Sequence, residues 1–334
     1  QPFPEAEIME ALAGKKAVTV LERSDQTALT AMVTRAMFKA RENAVSPERH
    51  PGIPAVDRSP QLTTAIFGLG GHDLQPRHLV AAFKHMLEPD ASPLVYLGSQ
   101  FFSDNPSELL AGLQDRLRAA YPETQLMALD TDENPNLLPD IATRIRFHSV
   151  GGYGTIATGK LLTDILAGVL GMHSKSAPKY GSEKSGAPTN YYITLSPDPI
   201  LITNAELEDV EIVISPDHKV FSHTNPLKGL VDGGTFVMQS SSTPTEVWRG
   251  LSRETRRTIR DKNIHLYVID AFKVAKRHAP TPSLETRMMG IAVIGAVAGH
   301  VQQVSAGASA KAILEKMRKQ IAKEHSRWQR IRAA

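Results

Sequence analysis

Apolar and polar positions alternate along the chain in a way that predicts strands and helices in turn. Ala17-Val-Thr-Val-Leu21 is a short β-branched run closed by charged Glu22-Arg23-Ser24-Asp25, and it reads as a strand. An amphipathic segment from about Leu29 to Arg41 predicts a helix. Asn43 to Pro60, rich in Pro, His and charge and without a period, predicts a loop. Thr63 to Phe67 is a second strand, ending in Gly68-Leu69-Gly70-Gly71-His72-Asp73. Pro76, whose fixed φ suits a first helical turn, opens a helix to about Leu87, and Pro93 to Leu97 is a third strand. Such alternation places a parallel sheet under helices.

Residues 98–143 predict a connector with its own helix, started by Asn105-Pro106-Ser-Glu and carrying an apolar stripe of Leu109, Leu110, Leu113 and Leu117. A strand-like Gln125 to Leu129 follows, and the acidic, Pro-rich stretch Asp130 to Pro139 marks a domain boundary shortly afterwards. Beyond it, Ile145-Arg-Phe-His-Ser-Val150 is a strand, Gly151-Gly152-Tyr153-Gly154-Thr155 a tight loop, and Ile156 to Leu170 a helix stopped by Gly171. A polar segment, Lys175 to Asn190, precedes a strand at Tyr191 to Leu195. Val210 to Ile214, Thr235 to Gln239 and His265 to Ile269 are further strands, and about Glu285 to Val301 is a long apolar helix. The whole predicts an α/β protein of two open-sheet domains. The parts are residues 1–97, the connector 98–143, a second domain 144–308 and a basic tail helix 309–334.

Composition changes this picture in two places. The 334 residues include no cysteine, which excludes disulfides, thiolate zinc sites, Cys-ligated iron–sulfur clusters and a cysteine nucleophile within this chain. The 38 basic and 35 acidic side chains give a net +3, but eight basic and two acidic ones fall from Lys311 onward. The rest holds 30 against 33, a net −3, so the sequence describes a faintly acidic globule with a basic tail rather than a nucleic-acid binder. In that tail Leu314, Met317, Ile321, Trp328 and Ile331 fall near one helical face, which predicts packing on the body or on a partner subunit. No apolar run is long enough to span a bilayer and no signal peptide opens the sequence, so a cytoplasmic place is expected. The opening Gln-Pro-Phe-Pro, without an initiator Met, is expected to be an internal start within something longer.

Strand, glycine loop and helix together present backbone N–H groups to an anion. Gly152-x-Gly154-x-x-Ala157 has the spacing of a dinucleotide fingerprint, but the next strand carries His173 and Lys175 where a ribose-binding acid belongs. This disfavours an NAD-type dehydrogenase. Gly154-x-x-x-x-Gly159-Lys160 approaches a phosphate loop, yet Leu161 stands where a Ser or Thr must hold magnesium. Two readings stay open: glycines that merely turn the chain tightly, and glycines that meet an anion. Lys179-Tyr-Gly-Ser-Glu-Lys-Ser-Gly-Ala187 by itself predicts a mobile solvated loop. Asp130-x-Asp132-x-Asn134 imitates a calcium loop but has Pro135 and Ile141 at the wrong positions, and the scattered histidines, His218 and His223 among them, predict no metal site. Ser182 and Ser185 have no base nearby in sequence, so no catalytic residue is predicted.

Read together, these segments resemble the 2-oxoacid:acceptor oxidoreductases, pyruvate:ferredoxin (flavodoxin) oxidoreductase type. Phe147-His-Ser-Val-Gly-Gly-Tyr-Gly-Thr155-Ile-Ala-Thr-Gly-Lys160 is similar to the glycine-rich opening of that family's gamma domain. Tyr180-Gly-Ser-Glu-Lys-Ser-Gly-Ala-Pro-Thr189 is similar to a second hallmark, with Ala187 replacing a glycine. Asn225-Pro-Leu-Lys…Gly233-Gly234-Thr-Phe and Asn263-Ile-His-Leu-Tyr-Val-Ile-Asp270-Ala continue in the same order. Upstream, Lys16 to Arg23 and Ile66 to Pro76 resemble the family's domain II, itself like a transketolase C-terminal domain.

The resemblance implies a fold of domain II followed by a gamma domain. It implies an enzyme that decarboxylates a 2-oxoacid on thiamine diphosphate with Mg, passes electrons through [4Fe–4S] clusters to ferredoxin or flavodoxin, and transfers the acyl group to coenzyme A. The thiamine motif, the cluster ligands and the family's catalytic glutamate are not in this chain, so the resemblance places them on partner domains or subunits in an oligomer. For this chain it implies a scaffold, a subunit interface and part of the coenzyme A path. The residues it points to are Gly151, Gly152, Gly154, Thr155, Lys160, Lys184, Ser185 and Gly186. The family's longer form has Ser-Asp at Gly152-Tyr153, so the loop's contacts are expected to differ. The alternative is a free-standing nucleotide- or coenzyme A-binding, or assembly, module without redox activity.

Overall fold

The computed structural model describes residues 3–99, 101–102, 106–151, 153–180, 188–278, 285 and 289–295. The chain divides into two compact units, Gln1–Leu137 and Leu138–Ala334. The first unit runs α1 (Glu5–Leu12), β1 (Ala17–Glu22), α2 (Ala28–Val45), β2 (Gln61–Ile66), α3 (Pro76–Met86), β3 (Leu94–Leu97), α4 (Glu108–Ala120), α5 (Thr124–Met127) and β4 (Ala128–Leu129). Its strands pair in parallel in the order β1-β2-β3-β4. The register sets Val20 and Leu62 on one face, where they pack with Met9 of α1 and with Val33, Ala36 and Ala40 of α2. Ala65, Val95 and Leu97 lie on the opposite face beside Ala82 of α3. Thr27, in a left-handed conformation, gives α2 no side-chain cap, and the buried Glu22 carboxylate at the end of β1 takes that place, accepting from Thr30 N at 2.6 Å.

The expected connector over 98–143 is corrected by this sheet. Its helix forms, capped by Ser107, but the segment does not stand apart: β4 pairs with β3 and completes the first unit, whose boundary follows Leu137. The expected strand at 125–129 shrinks to two residues, because Thr124–Met127 winds into a helical turn before the chain reaches β3. The leucine stripe is turned outward as well: Leu109, Leu110 and Leu113 are exposed and Gln114 is the buried position of α4.

The second unit runs β5 (Thr143–Val150), α6 (Thr155–Leu170), β6 (His173–Tyr180), β7 (Pro188–Ser196), β8 (Val210–Ser215), α7 (Val220–His223), β9 (Leu230–Gln239), α8 (Pro244–Gly250), α9 (Arg253–Asp261), β10 (His265–Ile269) and α10 (Ala271–His278). Six strands pair in the order β10-β9-β8-β5-β7-β6. From β5 to β10 the pairing is parallel, and β7 is antiparallel to both β5 and β6. The polar segment at 175–190, in which no strand is expected, is corrected in part: residues up to Tyr180 belong to β6, and Pro188 to Asn190 open β7. An edge strand with one free side needs no apolar period, and its Lys175, Pro178 and Lys179 suit an edge that must not pair further. Residues 285 and 289–295 are helical, in keeping with the apolar helix expected there; the rest of that helix and the tail at 309–334 lie outside the described residues.

Both faces of this sheet are covered. Ile145, Phe147, Ile193, Ile212 and Ile214 pack with Leu162 and Leu166 of α6, Ala271 and Ala275 of α10, and Met289 and Val293. Tyr192, Val213, Phe236 and Met238 face Val220 of α7, Leu251 at the end of α8 and Ile259 of α9. α6 and β7 meet closely, and a Cβ at Gly159 would lie 2.3 Å from the Tyr191 ring. Two turns further on, Gly168 has open space. Gly159→Ala is therefore expected to destabilise the protein by about 1–3 kcal/mol through overpacking. Gly168→Ala is expected to stabilise it by about 0.5–1 kcal/mol. Urea unfolding of the two variants beside the wild type checks the contrast, and equal effects would contradict it.

Candidate functional site

The second unit's sheet changes winding direction between β5 and β8. From β5 the chain crosses through α6 to β6 on one side, whereas β8 leads to β9 and β10 on the other. Adjacent parallel strands whose connections diverge leave a crevice at their carboxyl ends. At this end β5 contributes His148 and Ser149, the following loop Tyr153 and Gly154, and the segment after β8 Asp217 and Thr224.

Gly154 sits at the N-cap of α6 with φ 69° and ψ 18°, a conformation natural to glycine and strained for other residues. Its carbonyl accepts the first helical bond from Thr158 N at 2.9 Å, and no side chain caps this sixteen-residue helix. Among the described residues a Cβ at Gly154 would meet nothing within 4 Å, which leaves room there for an incoming group. Thr155 turns inward: it is buried, and its hydroxyl bonds the Ser149 hydroxyl, tying the helix start to the end of β5. Lys160 is exposed on α6 and Gly151 is half-buried in the loop. Of the residues implicated by sequence, Gly151, Gly154 and Thr155 therefore share one loop and helix start, with Lys160 farther along the helix. Gly152, Lys184, Ser185 and Gly186 lie outside the described residues. Lys179 is in β6 and paired with Glu206.

Around this loop is a buried polar array that sequence reasoning did not assemble. Arg146 on β5 is buried, and its Nη2 donates to the Pro226 and Lys228 carbonyls at 2.8 and 2.7 Å, which holds the segment after α7 against the strand. Burial lowers its pKa. His148 Nε2 lies 2.7 Å from Thr224 Oγ1, while Nδ1 has no partner of hydrogen-bond geometry, nor has Oδ1 of Asn190 opposite on β7. Burial, then the nearby Arg146 guanidinium, pushes the His148 imidazole down to about 4, so it is neutral near pH 7. Asp217 is fully buried; Oδ1 accepts from Lys219 N at 2.8 Å and Oδ2 has no bond of good geometry. The Tyr153 hydroxyl faces this carboxylate, and burial followed by Asp217 raises its pKa. Tyr153 also packs against the core, so the ring anchors the glycine loop to the end of β8. The available sequence signals were weak: a His inside a strand and an Asp in the Ser215-Pro216-Asp217 turn.

A neutral imidazole and a buried carboxylate faced by a phenol share this end of the sheet, and the helix start can meet an anion. Among the described residues no cluster of three His, Asp or Glu side chains could hold a metal ion. No helix of the described residues is long and apolar enough to cross a membrane.

Residues 144–332 match the family described as pyruvate ferredoxin/flavodoxin oxidoreductase. More than half of the chain falls in that match, and the chain belongs to this family. A pyruvate-flavodoxin oxidoreductase of Trichormus variabilis is 29% identical over 162 residues, covering 48% of this chain and 13% of that protein. Another, of Nostoc sp., is 25% identical over 272 residues, 81% of this chain and 20% of that protein, so the similarity reaches into the first unit. The common gamma subunit of the pyruvate/ketoisovalerate oxidoreductases of Thermococcus litoralis is 25% identical over 146 residues, 44% of this chain and 74% of that subunit. The chain thus spans a fifth or less of the two longer relatives.

The His148 geometry sets a pH dependence. In the unfolded chain the ring titrates at its ordinary 6.5, and in the fold at about 4, so the fold disfavours the charged form. Its contribution to stability is intact above about pH 6.5 and is lost as pH falls toward 4, by about 3 kcal/mol at 1.36 kcal/mol per pH unit. The difference in unfolding free energy between wild type and His148→Asn is expected to shift by that amount from pH 7 to pH 4. Urea titrations at both values check it; a constant difference would show the ring is not held neutral.

Proposed function

We propose that this chain is the domain II-plus-gamma part of a 2-oxoacid:ferredoxin or flavodoxin oxidoreductase, and that its glycine loop forms part of the coenzyme A site. The observation that carries the reading is the uncapped, open start of α6, with Gly154 in a left-handed conformation, placed at the crevice between β5 and β8. Helix-end N–H groups there suit the diphosphate of a coenzyme A, with the exposed Lys160 as a cation nearby. Bound there, coenzyme A would supply the thiol that accepts the acyl group; this chain's residues would bind and orient it. Tyr153 and Asp217 hold the loop in place for that contact.

The chain has no cysteine to ligate a cluster, and on this reading the cluster and thiamine chemistry falls to partner domains or subunits. A gamma-type part with its own core and a sheet covered on both faces can serve as scaffold for them.

Reconstitution with the thiamine- and cluster-bearing parts tests the reading. Coenzyme A-dependent oxidation of pyruvate or a related 2-oxoacid should require this chain. Gly154→Val, which forces a β-branched residue into a left-handed backbone, and Lys160→Ala should each raise the KM for coenzyme A about tenfold with little change in kcat. Full activity without this chain would overturn the assignment. Activity that needs the chain but shows an unchanged KM in both variants would overturn the coenzyme A contact alone.

A further inference from the structure

The outer face of α9 breaks the ordinary rules of helix electrostatics. Arg253, Arg256, Arg257 and Arg260 fall within about 100° of arc at 3.6 residues per turn, in a row about 10 Å long. They are neighbours at i,i+3 and i,i+4, where like charges repel. Arg253 and Arg256 also occupy the first turn, the end at which the helix dipole disfavours cations. One guanidinium has an acid partner among the described residues, Arg257 with Asp261 at 3.3 Å on the surface. Arg260 lies over the Trp248 ring of α8 at 5.3 Å. The arginines and Asp261 line an open hollow of about 420 Å³. Among the described residues nothing requires this row: Ile259 is the buried anchor of α9, and Ser252 already caps it. A local rule broken without structural return marks a functional surface.

We propose that the α9 row is a docking surface for an acidic helix of a partner protein. Charge complementarity identifies the occupant. Four guanidinium forks repeated at i, i+3, i+4 and i+7 match carboxylates repeated at the same spacing on a facing helix, each able to accept two parallel hydrogen bonds. A small anion would use one or two of the forks and leave the row unexplained. A nucleic acid would need a wider basic face, whereas the chain outside its tail carries a net −3. The inference stands apart from the coenzyme A reading, because no residue of the β5–β8 crevice takes part.

The probe is a capped, fluorescent helical peptide with Glu at i, i+3, i+4 and i+7, titrated against the full chain. Binding is expected to weaken about tenfold or more in Arg256→Glu/Arg260→Glu and to fall with salt. The same peptide with Lys at those positions should bind the charge-reversed protein about tenfold better than the wild type. If the reversed protein unfolds, Arg256→Gln/Arg260→Gln is read in its place, with a loss of several-fold. Affinity unchanged by these substitutions would overturn the proposal. So would displacement of the peptide by inorganic pyrophosphate or by a short DNA duplex with the same arginine dependence, which would assign the row to a small anion or to nucleic acid.

Discussion

The second unit depends on one topological constraint, the change of winding direction between β5 and β8. Because α6 carries the chain from β5 to one edge while β8 starts the run to the other, their carboxyl ends are left uncovered by either connection. The glycine loop, the start of α6 and the turn after β8 must then meet over that gap. Polar groups that would be costly inside a two-sided sheet gather there: His148, Asp217, Thr224 and the inward hydroxyl pair Ser149–Thr155. The crevice follows from the order of strands, and its chemistry from the residues that happen to end them.

The same strands reconcile a dry interior with a polar end. Ile145 and Phe147 alternate on β5 with Arg146 and His148, so one face seals the core under α6 and the other buries two basic groups. Arg146 meets that cost with backbone carbonyls, and its charge helps to keep His148 neutral. Stability and site are thus coupled through neighbouring positions of a single strand. Tyr153 adds a second coupling, since its ring belongs to the core while its hydroxyl faces Asp217.

Much of the architecture was legible in the chain because parallel strands buried on both faces read as short apolar runs. Val210–Ser215 is one such run, and Pro76 and Gly171 mark the ends of helices by backbone geometry alone. The elements that escaped are those whose stability comes from neighbours. β6 is polar because it lies on an edge, and β4 forms because β3 offers it a partner although a helical turn leaves it only two residues. The outward leucines of α4 show the reverse: an apolar stripe sets a helix but not the direction it faces.

The candidate site divides along the same line. Sequence alone determined that a glycine loop joins a strand to a long helix, that no thiolate chemistry resides here, and that the motifs follow the order of an oxidoreductase's domain II and gamma domain. Those properties depend on spacing and composition, which are local. Tertiary structure decided that Thr155 ties the helix down instead of facing outward, and that His148 meets a threonine 76 positions later in the chain. It also decided that Tyr153 and Asp217 face each other across the crevice. Burial and long-range pairing set these contacts and the protonation of the imidazole, and neither is written in any short stretch of residues.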